Sequence, residues 1–200
     1  MLTVKQAEHE IEIAEKLTPG LWVAHSRSAG DNARLIARKC GMDEDKAYVF
    51  GLLHDIGRRD GSWNSRHMID GYNYMTSINE PEIARICLTH SFPIDKDISQ
   101  YIDRITITDE QKLFLVEYLK GIEFDDYDLL IQLCDAISLP QGAVLMEKRL
   151  MDVALRHGVS DFSIKKWRDF FELKKLFDGK CGCNIYSFLP NVVENTFKDL

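Results

Sequence analysis

The stretch AYVFGLLHDIGR, residues 47–58, constrains the fold more than any other part of the chain. Its apolar residues leave no polar stripe for solvent, so a helix here is buried on most faces and central to the core. It then runs straight into His54 and Asp55. An ionised carboxylate inside a core is costly unless it is paired, hydrogen-bonded or bound to a metal. The fold must therefore bring compensating groups to this point from elsewhere.

The rest of the chain reads as helix. Its five prolines, at 19, 81, 93, 140 and 190, fall at segment boundaries and leave long proline-free stretches. Apolar periodicity predicts helices over about 3–17, 22–40, 44–56, 65–77, 81–91, 109–121, 126–138, 141–157 and 161–178. Strand signals are weak, and residues 101–107 alternate only loosely. Asp43, Ser65 and Asn79 are the expected N-caps, and Gly41, Gly57 and Gly158 the expected stops. The expectation is an all-α fold. With 45% hydrophobic residues in 200, one core can be buried. We expect a single domain over 1–200, with a core of about 22–140 and a C-terminal helical extension of about 141–200.

Charge narrows the partners. Twenty-five basic against thirty-two acidic side chains, a net charge of −7, argue against a nucleic-acid-binding surface. The acidic run EFDDYD (123–128) points the same way and reads as a solvated turn. The N-terminal segment is acidic and has no apolar h-region, unlike a signal peptide. No apolar run approaches the ~18–20 residues that span a bilayer, so no membrane partner is expected. The five cysteines, at 40, 87, 134, 181 and 183, are odd in number and scattered. They read as reduced, core-packing thiols of a cytoplasmic protein rather than a disulfide framework. The CGC of Cys181 and Cys183 leaves a metal or redox role open.

Four of the six histidines lie on apolar faces. His25 shares a face with Ala29, Ala33, Ile36 and Cys40, and His90 with Ile83, Ile86 and Cys87. His67 opens its segment, with Gly71 one turn on. His54 lies with Ala47, Phe50 and Gly51, while Asp55 points about 100° further round. On this reading Gly51 leaves space for an ion between their directions, and Gly57 ends the helix. Asp135 sits beside Ile131, Cys134 and Ser138. Each histidine taken alone reads as a satisfied core residue, and Arg58 or Arg34 could neutralise one aspartate. Six such residues on buried faces are explained together by a shared metal site. His9 and His157 lie in polar segments and read as surface residues.

The ordered set His25, His54-Asp55, His67, His90 and Asp135 resembles the HD superfamily of metal-dependent phosphohydrolases. The resemblance is carried by AHSRSAGDNARLIA, GLLHDIGR, RHMIDGYNYM, ICLTHSF and LCDAIS, and it covers about residues 22–140. It implies an HD-domain helical bundle with additional C-terminal helices and a metal site at its centre, with His54 and Asp55 as its catalytic pair. The extra histidines resemble the binuclear members. By that resemblance one ion takes His25, His54, Asp55 and Asp135, and the other takes His67 and His90, with Asp55 bridging. Some relatives carry a further histidine where this chain has Ser91, so the resemblance does not imply a trinuclear or three-histidine second site.

The implied activity is hydrolysis of a phosphate ester or phosphoanhydride of a small molecule, a nucleotide among the candidates, by metal-bound hydroxide. Two divalent ions, two aspartates and a hydroxide leave a local charge of about +1, which suits a phosphate despite the acidic chain. The same ligands also resemble HD-fold mixed-valence di-iron oxygenases, and a non-catalytic, metal-stabilised regulatory domain is the third reading. The ligand types do not choose among Fe, Mn, Co, Ni, Zn and Mg.

Arg58 has two readings: a guanidinium for the substrate phosphate, or a helix-terminal arginine paired to a surface acid. Arg27 and Arg59 are weaker candidates for the phosphate. Tyr72, Tyr74 and Trp63 read as core, with a base-stacking pocket as the alternative. The amphipathic segments VLMEKRLMDVAL and IKKWRDFFELKKLF are expected to pack on the core or on a second copy of the chain. Lys165, Lys166, Lys174 and Lys175 read as a solvated face.

Overall fold

The structure, a computed structural model, describes residues 1–62, 64–95, 97–99 and 102–198, apart from the side chains of His157 and Asp161. The surface reading of His157 and the pocket reading of Trp63 thus lie outside the described residues. Among the described residues the chain is all-α apart from one two-stranded hairpin. In order come α1 (Val4–Leu17), α2 (Leu21–Cys40), α3 (Glu44–Leu53), a 3-10 helix (Ile56–Asp60), α4 (Arg66–Ser77) and α5 (Pro81–Thr89). Then follow α6 (Asp109–Gly121), α7 (Asp126–Ala136), the hairpin β1 (Ser138–Leu139) and β2 (Gly142–Ala143), α8 (Met146–His157), α9 (Asp161–Cys181) and α10 (Val192–Phe197).

Helix α3 is the hub. Every residue from Ala47 to Leu53 is buried. Asp43 caps it, accepting from the amides of Asp45 and Lys46. Helices α1, α2 and α7 pack around it, and α9 closes over α2 and α7. The crossing with α2 is unusually close. A Cβ on Gly51 would lie 2.7 Å from Gly30 Cα and 2.8 Å from Ala29 O. Gly51 therefore makes room for the α2 backbone, not for an ion as the helix-wheel reading had it. A smaller apolar cluster, including Leu88, Phe92, Ile98, Leu115 and Leu119, lies beneath α6.

Several expected boundaries shift for local reasons. α3 ends at Leu53, before the His-Asp doublet, and Gly57 lies inside the following 3-10 helix. A Cβ at Gly57 would meet His67 O at 2.0 Å and Gly71 N at 2.3 Å. Gly57 is thus a contact point for α4, not a helix stop. Ser65 makes no side-chain cap on α4; Asn64 Oδ1 accepts from Arg66 N at 3.0 Å instead. Asn79 sits at φ 62°, and Glu80 precedes Pro81 at the start of α5. Residues 138–143 form the hairpin rather than two helix ends, because Pro140 offers no amide and Gly142 sits at φ 128°. The acidic run 123–128 is not wholly a solvated turn. Asp128 is fully buried, taking Thr89 Oγ1 at 2.7 Å and Arg85 Nε at 3.0 Å. No helix among the described residues is long and apolar enough to cross a membrane.

Candidate metal centre

The end of α3 is where the polar residues meet. His54 closes the helix with αR backbone angles, and Asp55 departs to φ −102°, ψ 12°. On a continuous helix the two side chains would diverge by about 100°. The break in the helix turns both into the same space. His25 comes from the buried side of α2, His67 from the first turn of α4, His90 from the end of α5 and Asp135 from the last turn of α7.

Each histidine has its Nδ1 against a main-chain carbonyl. His25 faces Ser138 O at 3.2 Å, His54 Gly51 O at 2.7 Å, His67 Asn64 O at 2.6 Å and His90 Ile86 O at 3.2 Å. A carbonyl can only accept, so each Nδ1 carries the hydrogen and each Nε2 keeps its lone pair. All four lone pairs face inward. His67 Nε2 lies 3.4 Å from His90 Nε2 and 3.0 Å from Asp55 Oδ1. His90 Nε2 lies 3.6 Å from the same oxygen, and His54 Nε2 lies 3.9 Å from Asp55 Oδ2. His25 Nε2 is 3.0 Å from Asp135 Oδ1.

These contacts bring acceptors together without donors between them. The Nε2 atoms of His25 and His54 are buried and have no hydrogen-bond partner among the described residues. An orphaned buried acceptor is destabilising unless something electron-poor sits against it. A divalent ion fits this donor set. Three overlapping groups have ligand atoms within 4.8 Å of one another: His25, His54 and Asp55; Asp55, His67 and His90; and His54, His90 and Asp135. Asp55 belongs to two of them, one on each side.

The electrostatics suit ligation. Burial holds the imidazoles of His54 and His90 down, His90 to about 3, so both are neutral and ligand-competent at pH 7. Burial pushes the Asp55 carboxyl up, but the Arg58 guanidinium beside it pulls the other way, and the carboxyl is held well below the usual carboxylate range. For Asp135 burial is likewise opposed, by the Arg149 guanidinium, and its carboxyl too is held well below the usual range. Both carboxylates are ionised at neutral pH.

Arg58 falls between its two sequence readings. Its Nε donates to Asp55 Oδ2 at 2.6 Å, so its acid is at the site and not on the surface, and its side chain also lines both cavities described below. Arg27 pairs with Glu8, and Arg59 with Glu10, outside the cluster. Tyr72 packs on Phe114 and Tyr118, and Tyr74 bonds Glu10, so neither lines a stacking pocket here. Lys165, Lys174 and Lys175 are paired to nearby acids on α9, as a solvated face would be, but Lys166 lines a cavity.

Two residues escaped the sequence reading. Arg149 on α8 donates to Asp135 Oδ1 at 3.1 Å and to Asp135 O at 3.2 Å. Its spacing to Asp152 and Arg156 marks one polar face on an amphipathic helix, and that was the available signal. Ser138 supplies the carbonyl behind His25 and is itself held by Asn32 Nδ2 at 2.9 Å. Its position depended on a hairpin that periodicity did not show.

Two cavities open beside the cluster. One, of about 490 Å³, is lined by Trp22, His25, Asp55, Arg58 and Arg149 among others. The other, of about 440 Å³, is lined by Arg58, Ser91, Asp135, Arg149, Lys166 and Trp167 among others. Both lie in the size range of small-molecule sites.

A helical bundle whose centre gathers histidine lone pairs and two ionised aspartates beside cation-lined cavities has the donor set to hold a divalent metal. The model of the HD-domain family matches residues 22–139, and the chain belongs to that family. HD domains are mostly metal-dependent phosphohydrolases and bind divalent metals. Comparison with curated proteins and with solved structures finds no match.

Proposed function

We propose that this chain hydrolyses a phosphate ester or phosphoanhydride of a small molecule, with His25, His54, Asp55, His67, His90 and Asp135 holding two divalent ions. One observation carries the reading. Four imidazole lone pairs with their opposite nitrogens tied to carbonyls converge on two carboxylates, next to cavities that present guanidinium groups. When bound, divalent ions supply Lewis acidity toward a phosphoryl oxygen and make water acidic enough to ionise near ~pH 7.

The chain's own residues do the rest. The carbonyls of Ser138, Gly51, Asn64 and Ile86 fix the tautomers, so every Nε2 is a donor of electrons, not of a proton. Asp55 offers its Oδ1 toward His67 and His90 and its Oδ2 toward His54, which suits a shared ligand. Arg149 fixes the orientation of Asp135. Arg58 steadies Asp55 and faces the cavities, where a guanidinium suits a phosphate oxygen. A nucleotide is the first substrate class to test, and the cation-lined cavities favour a phosphorylated substrate over the oxygenase reading.

The test is metal analysis of protein purified without chelator, followed by phosphatase and phosphodiesterase panels. Two bound ions and phosphate release are expected. No bound transition metal, with no response to adding any, would overturn the reading. Oxygen uptake by iron-loaded protein without hydrolysis would replace it with the oxygenase, and metal binding with no turnover would leave a regulatory domain.

A further inference from the structure

The 440 Å³ cavity is built largely by a part of the chain that the family match does not reach. Arg149 and Arg156 come from α8, and Lys166, Trp167 and Phe170 from α9. Arg104 joins them from the segment before α6. The opposite wall carries Arg58 and Asp135 of the metal centre. Five cationic side chains thus line a cavity whose only acidic lining residue among those described is Asp135, in a chain of net charge −7.

Three of those cations are already matched. Arg58 is held by Asp55, Arg149 by Asp135 and Asp152, and Arg156 by Asp152. Lys166 and Arg104 form no ion pair among the described residues, and Asp135, the acid whose charge acts on Lys166, is already held by Arg149. Lys166 is half-buried, with its ammonium 5.7 Å from the centre of the Phe170 ring. Desolvating an ammonium without an opposing charge is unfavourable, and an anion in the cavity removes that penalty. Two unmatched positive charges suit one phosphate dianion, and Trp167 and Phe170 offer an apolar wall to the body that carries it.

We propose that the substrate carries a second phosphate group, separate from the one presented to the metal centre, and that Lys166 and Arg104 bind it. The proposal rests on the phosphohydrolase reading for what happens at the metal centre, but not for the pocket itself. The C-terminal helices are then the specificity element. The family core supplies the reactive centre, and α8 and α9 select bisphosphorylated over monophosphorylated molecules.

The experiment has two arms. In the first, inorganic phosphate is titrated into the chelator-treated full chain by calorimetry, for the native protein, Lys166→Gln and Arg104→Gln. One site per chain is expected, weakened about tenfold in each variant. Arg104 is exposed, so its variant keeps the test valid if Lys166→Gln misfolds. Equal affinity in all three overturns the pocket. In the second arm the metal-loaded chain is assayed on adenosine 3′,5′-bisphosphate, adenosine 5′-monophosphate and a phosphorylated carboxylic acid, 3-phosphoglycerate. The variants should raise KM for the bisphosphate about tenfold, with kcat and the monophosphate reaction changed less than twofold. A parallel loss on all three compounds overturns the proposal, and a selective loss on 3-phosphoglycerate alone reassigns the pocket to a carboxylate. If no compound turns over with any metal, the phosphohydrolase reading fails, while the phosphate titration still decides the pocket.

Discussion

Arg149 grips Asp135 twice: its Nη2 holds the carboxylate at 3.1 Å and its Nε holds the main-chain oxygen at 3.2 Å. The helix beyond the family match thereby orients a residue at the centre of the family core. A residue that orients a metal ligand typically contributes a factor of ~10–100 in metal affinity. Arg149→Met keeps the apolar stem and removes the fork. We expect metal affinity to fall about tenfold or more by calorimetric titration, with helical content unchanged. Native affinity in the variant would detach α8 from the site.

Asp55 and Arg58 form a buried ion pair that also faces both halves of the cluster. Asp55→Ala should abolish metal retention after chelator-free purification. It also strands the guanidinium, at a cost of about 3 kcal/mol in urea unfolding of the metal-free chain. Asp55→Ala with Arg58→Met should recover part of that stability and none of the metal. Retained metal in Asp55→Ala would remove it from the centre.

Gly57 places α4, and α4 places His67. An added Cβ would run into the backbone at His67 and Gly71, which no rotamer change relieves. Gly57→Ala should cost on the order of 3 kcal/mol or more and lower metal affinity along with stability. Gly61→Ala is the contrast: it meets nothing within 4 Å, so only its positive φ is strained, and its metal affinity should stay native.

Stability of the chelator-treated chain should fall in acid. His90 is held to about 3 in the fold, against ~6.5 unfolded, so between those values the unfolded chain binds the extra proton. Stability therefore rises with pH across that window and is lost as pH falls through it, with His54 shifted the same way. The lowered carboxyls of Asp55 and Asp135 add a further loss below about pH 4. Thermal unfolding from pH 8 to 4 should show Tm falling below pH ~6.5. A flat profile would mean that these histidines are not buried neutral.

Cys40 and Cys181 face each other with sulfurs 2.8 Å apart, joining the ends of α2 and α9. Both are free thiols, and burial with the Cys40 contact pushes Cys181 up to about 12. Diamide should oxidise this pair to a disulfide, being itself reduced to the hydrazine, and faster as pH rises because the thiolate is the nucleophile. Peptide mapping should find Cys40–Cys181 and leave the buried Cys87 and Cys134 reduced. Crosslinks through Cys183 instead would contradict the geometry.

The helices were legible because apolar spacing and proline placement are local properties of the chain. The six histidines and aspartates stood out because polar groups on apolar faces need an explanation wherever they occur. Less legible was what holds them. Gly51 and Gly57 looked like an opening and a stop, since sequence shows a missing side chain but not the backbone that takes its place. The hairpin behind His25 went unseen because two-residue strands have no periodicity.

The sequence by itself determined the all-α class, the central helix and the residues that would have to share one site. Only the tertiary structure decided how they share it. Helix α3 ends one residue before His54, so neighbours that a helix would separate face the same point. Carbonyls three or four residues back orient the rings of His54, His67 and His90, but the carbonyl behind His25 comes from Ser138 in the hairpin, and an arginine from beyond the family core orients Asp135. Those choices are made by contacts between segments up to more than a hundred residues apart, as His25 and Ser138 are, and local spacing carries no record of them.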